Sequence, residues 1–106
     1  MTAEQKQGWL AARKQSTIQV LERLKNEAPA AWSAARVVGR WVWVQFNARP
    51  DRQIIEGLKA IGFTWNGRRE VWQHPCGAWS APSRYDPRDR YGERKADDVL
   101  KVTVAA

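Results

Sequence analysis

Residues 40–76 read RWVWVQFNARPDRQIIEGLKAIGFTWNGRREVWQHPC, and the succession of patterns in that stretch decides the fold. Arg40–Phe46 alternates with period two. Trp41, Trp43 and Gln45 fall on one face of a strand, Val42, Val44 and Phe46 on the other. Asn47–Arg49 then turns the chain into a helix, with Pro50 suited to its first position and Asp51 to the positive end of its dipole. Ile54, Ile55, Leu58 and Ile61 make one apolar stripe that should pack on the Val42/Val44/Phe46 face, and Gly62 supplies a left-handed end. Phe63–His74 reads as a hairpin. Asn66-Gly67 fits a two-residue type I′ turn, and a four-residue loop over Asn66–Arg69 would instead set Phe63 opposite Trp72.

Outward from this module, residues 3–27 read as one N-terminal helix. Thr2 and Gln5 form its capping box, the Leu10, Leu21 and Leu24 set its stripe, and Val20, Leu21 and Leu24 its docked end. Gln15, Ser16 and Thr17 make a weak middle, and Pro29 stops the helix. Ala30–Val38 has the alanine content for a short helix around Trp32 before Val37 and Val38 become extended, with Gly39 a bulge or a strand start. Residues 78–98 carry no period and read as an irregular loop that wraps the sheet with Trp79, Tyr85 and Tyr91 or stays mobile. Residues 99–104 alternate like one more edge strand.

The expected fold is therefore a single small α+β domain over residues 1–106. A mainly antiparallel sheet of three or four strands is built on a β-α-β-β core at residues 38–77, with the N-terminal helix beside it or across the Trp41/Trp43 face.

Composition narrows the function classes. A chain of 106 residues with seven Trp and a net charge of +7 is small, basic and rich in stacking surface. Twelve of its 18 basic residues are Arg, whose planar fork suits phosphates and flat rings. Residues 35–77 hold seven basic and three acidic groups, so the charge is densest on the module. One Cys permits no internal disulfide, and no apolar run suits a leader or a membrane span, which makes a cytoplasmic protein with no membrane partner the expectation. A lone His74 and a lone Cys76 cannot fill a four-ligand zinc site, and Pro75 separates them as a nucleophile pair. No cofactor, no metal and no catalysis are expected. On this reading His74 is an amphipathic edge residue and Cys76 a half-buried small one.

The pattern WVWVxF, a Pro-initiated helix, GFxWN and VWQHPCG resembles uncharacterised small proteins borne by phages, plasmids and other mobile elements. The spacing of Gly62, Phe63, Trp65 and Trp72 is similar to modules appended to plasmid primase-like and DNA-processing proteins. The likeness spans residues 38–77. It implies the strand–helix–hairpin arrangement, a mobile-element origin and the company of DNA metabolism, with no activity attached to any residue. Together these features lead to a non-catalytic nucleic-acid-binding module for single strands. Arg36, Arg40, Arg68 and Arg69 would meet phosphates, while Trp43, Trp65 and Trp72 stack on bases. The alternative is a module that binds a host or phage protein through a Trp/Arg-rich surface.

Overall fold

Thr2 Oγ1 accepts the Gln5 backbone N–H at 3.1 Å while Gln5 Oε1 accepts the Thr2 N–H at 2.8 Å, the capping box that starts α1 (Ala3–Arg13). The same reciprocal pair recurs at Ser16 and Gln19, with bonds of 3.2 and 2.9 Å, and starts α2 (Thr17–Glu27). The single helix expected over 3–27 is thus two. A serine side chain that satisfies the backbone N–H three residues on favours a new N-terminus over continuation. Val20, Leu21 and Leu24 are the buried residues of α2, as their spacing predicts, whereas Leu10 is exposed. The computed structural model of the chain describes residues 2–78 and 85–105, the last three as backbone only.

Pro29–Ala34 forms a 3₁₀ helix with Trp32 under the Lys25 ammonium, 5.7 Å from ring centroid to nitrogen. β1 (Ala35–Val38) and β2 (Trp41–Val44) follow as a hairpin closed by Gly39 and Arg40. Gly39 is therefore a hairpin turn, neither bulge nor strand start. Its φ of +63° is what two-residue loops require, and a Cβ there would lie 3.4 Å from the Tyr91 ring.

α3 (Arg52–Ile61) begins after Asp51 at the N-cap, so Pro50 precedes the helix and is not its first residue. Gly62 ends it at φ +110°, where a Cβ would come within 3.0 Å of His74 Nε2. β3 (Thr64–Asn66) and β4 (Val71–His74) form the expected hairpin, with Trp65 opposite Trp72 and Asn66 opposite Val71. The loop is Gly67–Glu70, one residue later than Asn66–Arg69, so Trp72 faces Trp65 and not Phe63. Asn66 Oδ1 accepts the N–H groups of Arg68 and Arg69, both at 3.1 Å, an Asx turn in place of the type I′ pair.

After residue 84 come α4 (Pro87–Tyr91), β5 (Arg94–Lys95) and α5 (Ala96–Ala105). The edge strand expected at 99–104 lies inside α5. Ala96 and Leu100, one turn apart, are buried in the core with Val99 half-buried against it, and Asp97 pairs with Lys101 at 2.9 Å. That spacing outweighs the β propensity of Val99, Val102 and Val104. The extra edge strand is the two-residue β5. Within the stretch expected to be irregular, residues 85–98 thus contain ordered elements, and Trp79 lies outside the described residues.

The five strands are antiparallel in the order β3-β4-β2-β1-β5, two more than the smallest sheet expected, and the class is α+β. One face carries Val37, Val42, Val44 and Trp72 into a core with α2, α3, α5 and the 3₁₀ helix. α3 joins that core as its stripe predicts. The other face carries Val38, Trp43 and Val71, flanked by Trp41. Among the described residues, no helix is long and apolar enough to cross a membrane.

Candidate functional site

On the helix-covered side, a groove of about 820 Å³ opens between α3, the β3–β4 hairpin and the connection from β2 to α3. Its aromatic lining is Phe46, Phe63, Trp65 and Trp72, with Trp9 contributed by α1. Trp65 is 53% exposed and leans on Trp72, which is 8% exposed, with centroids 5.4 Å apart and planes tilted by 56°. The cross-strand register makes this pair, because Trp65 and Trp72 sit directly opposite and share a face. A Cβ at Gly67 would lie 3.4 Å from the Trp65 indole nitrogen, so the ring sits close to its own loop.

Charge enters the groove from the other wall. α3 contributes Ile55 and Lys59, and Arg49 comes from the loop before Pro50. Arg52 stands one turn before Ile55 on the wet side of α3, almost wholly in solvent, with Glu56 at 3.8 Å. Across α1, Arg13 stacks 4.8 Å over the Trp9 ring and donates from Nη1 to the Gly62 carbonyl at 2.9 Å, which ties Trp9 to the end of α3. Glu70 supplies the groove's carboxylate.

Behind this groove lies His74, fully buried rather than at an edge. Its Nδ1 accepts the Cys76 backbone N–H at 2.9 Å, so the proton sits on Nε2, which donates to the carbonyls of Ala12 at 3.0 Å and Ile61 at 3.2 Å. Phe63 meets the ring edge-on at 5.3 Å. Burial pushes the imidazole down to about 4, against the pull of the two carbonyls. One neutral ring thereby fastens α1, α3 and β4 together. Cys76 is buried rather than half-buried, and burial raises its thiol to about 11. It meets His74 through its backbone N–H, and its sulfur lies 3.6 Å from the His74 carbonyl.

The residues singled out from sequence do not all converge. Trp65 and Trp72 share the groove. Trp43 lies on the opposite face, 3% exposed under the Arg88 guanidinium at 5.2 Å, and offers no open ring for a base. Arg88 is held there by Asp86, with Nη2 to Oδ2 at 2.7 Å and Nε to Oδ1 at 3.1 Å, and by Gln45 at 3.3 Å. That hydrogen bonding holds the Asp86 carboxyl below the usual range. Arg69 reaches the same carboxylate at 3.9 Å from the hairpin loop that also carries Arg68. Arg36 is half-buried on this face and donates to the carbonyls of Ser33 and Ala35 at 3.0 and 2.8 Å. Arg40 sits at the β1–β2 turn, its carbonyl accepting the Thr17 hydroxyl at 2.6 Å. Trp41 is half-buried and donates its indole N–H to the Ala78 carbonyl at 2.6 Å.

A second cavity of about 590 Å³, polar in character, lies beside Trp43 and Arg36. Phe46 and Asn47 line both cavities, so the two meet where β2 runs out toward α3. Among the described residues, the indole N–H of Trp43 has no hydrogen-bond partner.

Reading the sequence missed Trp9, Phe46, Arg49 and Lys59 as groove residues. The signal for Lys59 was present, since it follows Ile55 by one helical turn. Trp9 carried none, because the break at Lys14–Ser16 decides where α1 points. Comparison of the chain with protein-family models, curated proteins and solved structures returned no match.

Proposed function

We propose that this chain is a non-catalytic module that binds single-stranded nucleic acid in the aromatic groove, as a cytoplasmic accessory of a mobile genetic element. The observation that carries the reading is Trp65, whose half-open ring is braced by Trp72 at a groove that Arg49 and Lys59 also line. A base has two faces, and a braced indole with open area offers one of them a stacking partner at little entropic cost. Cations on the opposite wall suit the phosphates that run alongside stacked bases. The excess of positive charge on residues 35–77 supports the same partner. Duplex fits less well, because stacking on Trp65 needs an unpaired base face. The positively charged contacts are Arg49 and Lys59, with Arg68 on the hairpin loop, whereas Arg36, Arg40 and Trp43 stand away from the groove, Arg69 turns to Asp86 and Arg52 points into solvent.

Titration of intrinsic Trp fluorescence with short single-stranded DNA and RNA at two salt concentrations tests this. Quenching that weakens at higher salt is expected. A flat response at low salt would overturn the reading and leave the groove to a host or phage protein that docks through its aromatic walls.

A further inference from the structure

Glu70 is an unexpected occupant of a groove meant for a polyanion. It lines the cavity with Trp65 and Trp72, in a chain of net charge +7 and next to Arg68 and Arg69. Its backbone has φ +57°, the left-handed region in which glycine or asparagine is the usual residue. Its carboxylate takes part in none of the ion pairs or side-chain hydrogen bonds of the described residues. Packing does not account for it either, since the side chain is exposed. An acid kept at a strained position, unpaired and beside stacking rings, is placed to meet a hydrogen-bond donor that arrives with the ligand.

Resting on the nucleic-acid reading, we infer that Glu70 makes the groove selective for guanine. A base stacked on Trp65 turns its Watson–Crick edge sideways, and the four bases differ there. Guanine shows two adjacent donors, N1–H and the exocyclic N2 amino group, which match the two oxygens of one carboxylate. Cytosine and adenine show one amino donor beside a ring acceptor that repels the carboxylate. Thymine and uracil place a single N–H between two carbonyl oxygens, the least favourable pattern of all. A bidentate pair in a half-enclosed site discriminates against the wrong base by roughly tenfold.

The test uses short oligothymidylates with one central position changed to guanine, hypoxanthine, cytosine or left as thymine, titrated against the full chain. Hypoxanthine keeps N1–H and lacks the N2 amino group, so it isolates the second hydrogen bond. The wild-type chain should bind the guanine oligomer roughly tenfold more tightly than the thymine oligomer, with hypoxanthine between. In Glu70→Gln the guanine-to-thymine ratio should fall toward one. Glu70→Gly relieves the left-handed backbone and so retains the fold. It should lose the same preference while binding the thymine oligomer at least as tightly, because a negative charge has left a phosphate-bearing site. Equal binding of all four oligomers by the wild type overturns the guanine inference and leaves the nucleic-acid reading standing. A guanine preference that survives in both variants also overturns it. Absence of binding to every oligomer overturns the nucleic-acid reading and this inference with it.

Discussion

On the helix-covered face of the sheet, Trp72 is buried at one end of an aliphatic core and Trp65 continues its surface out into the groove; on the other face, Trp43 is closed over by Arg88 and Asp86. The strand pattern treats these rings as equals. Their neighbours separate them. The first face is sealed by α2, α3 and α5 against Val37, Val42 and Val44, and its open part is confined to the groove. The second face has a small core of Val38, Trp43 and Val71, with a five-residue helix and the Asp86 carboxylate between Arg88 and Arg69 beside it. The lesson is that an indole on a strand stays open to solvent when its cover stops short, and which cover stops short is set by elements distant in sequence.

The largest expected effect separates the faces by stability. Leu24, fully buried among the helices on the first face, should cost about 2–5 kcal/mol when changed to Ala, read from urea unfolding. Truncations at the lid of the second face, such as Arg88→Ala, should cost well under half of that, because a part-exposed ion pair and one cation–π contact are lost. Equal losses at the two sites would mean that the lid face contributes as much to the fold as the helical core.

A second difference lies in pH. On the first face His74 is buried neutral, its value lowered to about 4 from an ordinary 6.5. Between those values the unfolded chain binds the proton that the folded chain refuses. Stability is therefore complete above the ordinary value and is lost progressively as pH falls from 6.5 toward 4, by on the order of 3 kcal/mol. His74→Gln should flatten this dependence while lowering stability at neutral pH. On the second face Asp86 is held low by Arg88, so its contribution is present above the ordinary carboxylate range and is lost only as pH falls below it. Urea midpoints measured across acid pH should show the first loss and show it removed in the variant. Loss confined to the more acid window would place the pH-sensitive fastening at the lid instead.

How much of this was legible follows from whether a signal was local. The α3 stripe from Ile54 to Ile61 and its Gly62 end depend on neighbours in sequence and stand where the spacing puts them, while the hairpin forms as read with its loop one residue later. β1 was only half legible, because Ala35 and Arg36 carry no strand preference and the turn at Gly39–Arg40 lacks the Asn-Gly pair. The last helix was read as a strand because Val99–Val104 alternates. What decides it is Asp97 in the first turn and the burial of Ala96 and Leu100 against α2 and β1, contacts that no local pattern reveals. His74 was misplaced for the same reason. Its partners, the carbonyls of Ala12 and Ile61, lie 62 and 13 residues away in the chain. In the groove, Trp65 and Trp72 were each visible as strand aromatics, but their pairing follows from a loop one residue later than the sequence suggested, and Trp9 and Arg49 join them only through the fold.

A third prediction concerns the buried indole nitrogen on the lid face. Trp43→Phe removes a buried N–H that meets no acceptor among the described residues and leaves a small void in its place. The two changes oppose each other, so stability should stay within about 1 kcal/mol of the wild type. Oligonucleotide binding should be unchanged, since Trp43 lies across the sheet from the groove. A clear loss of binding in this variant would return Trp43 to the site and erase the distinction between the faces.

The smallest effect on the fold should accompany the largest on binding. Trp65→Ala removes a ring with 53% of its area in solvent, together with one aromatic pair, so unfolding should shift by about 1 kcal/mol or less. The same change takes away the groove's exposed stacking surface, and affinity for a short single strand should fall by about 1–3 kcal/mol. Trp72→Ala makes the useful counterpart. Trp72 is part of the buried core, so its loss should weaken folding and binding together, the second because Trp65 is no longer braced. If Trp65→Ala instead destabilises the chain as much as Trp72→Ala, the exposed ring is the outer layer of the core. The groove would then be a consequence of packing, with no stacking site built into it.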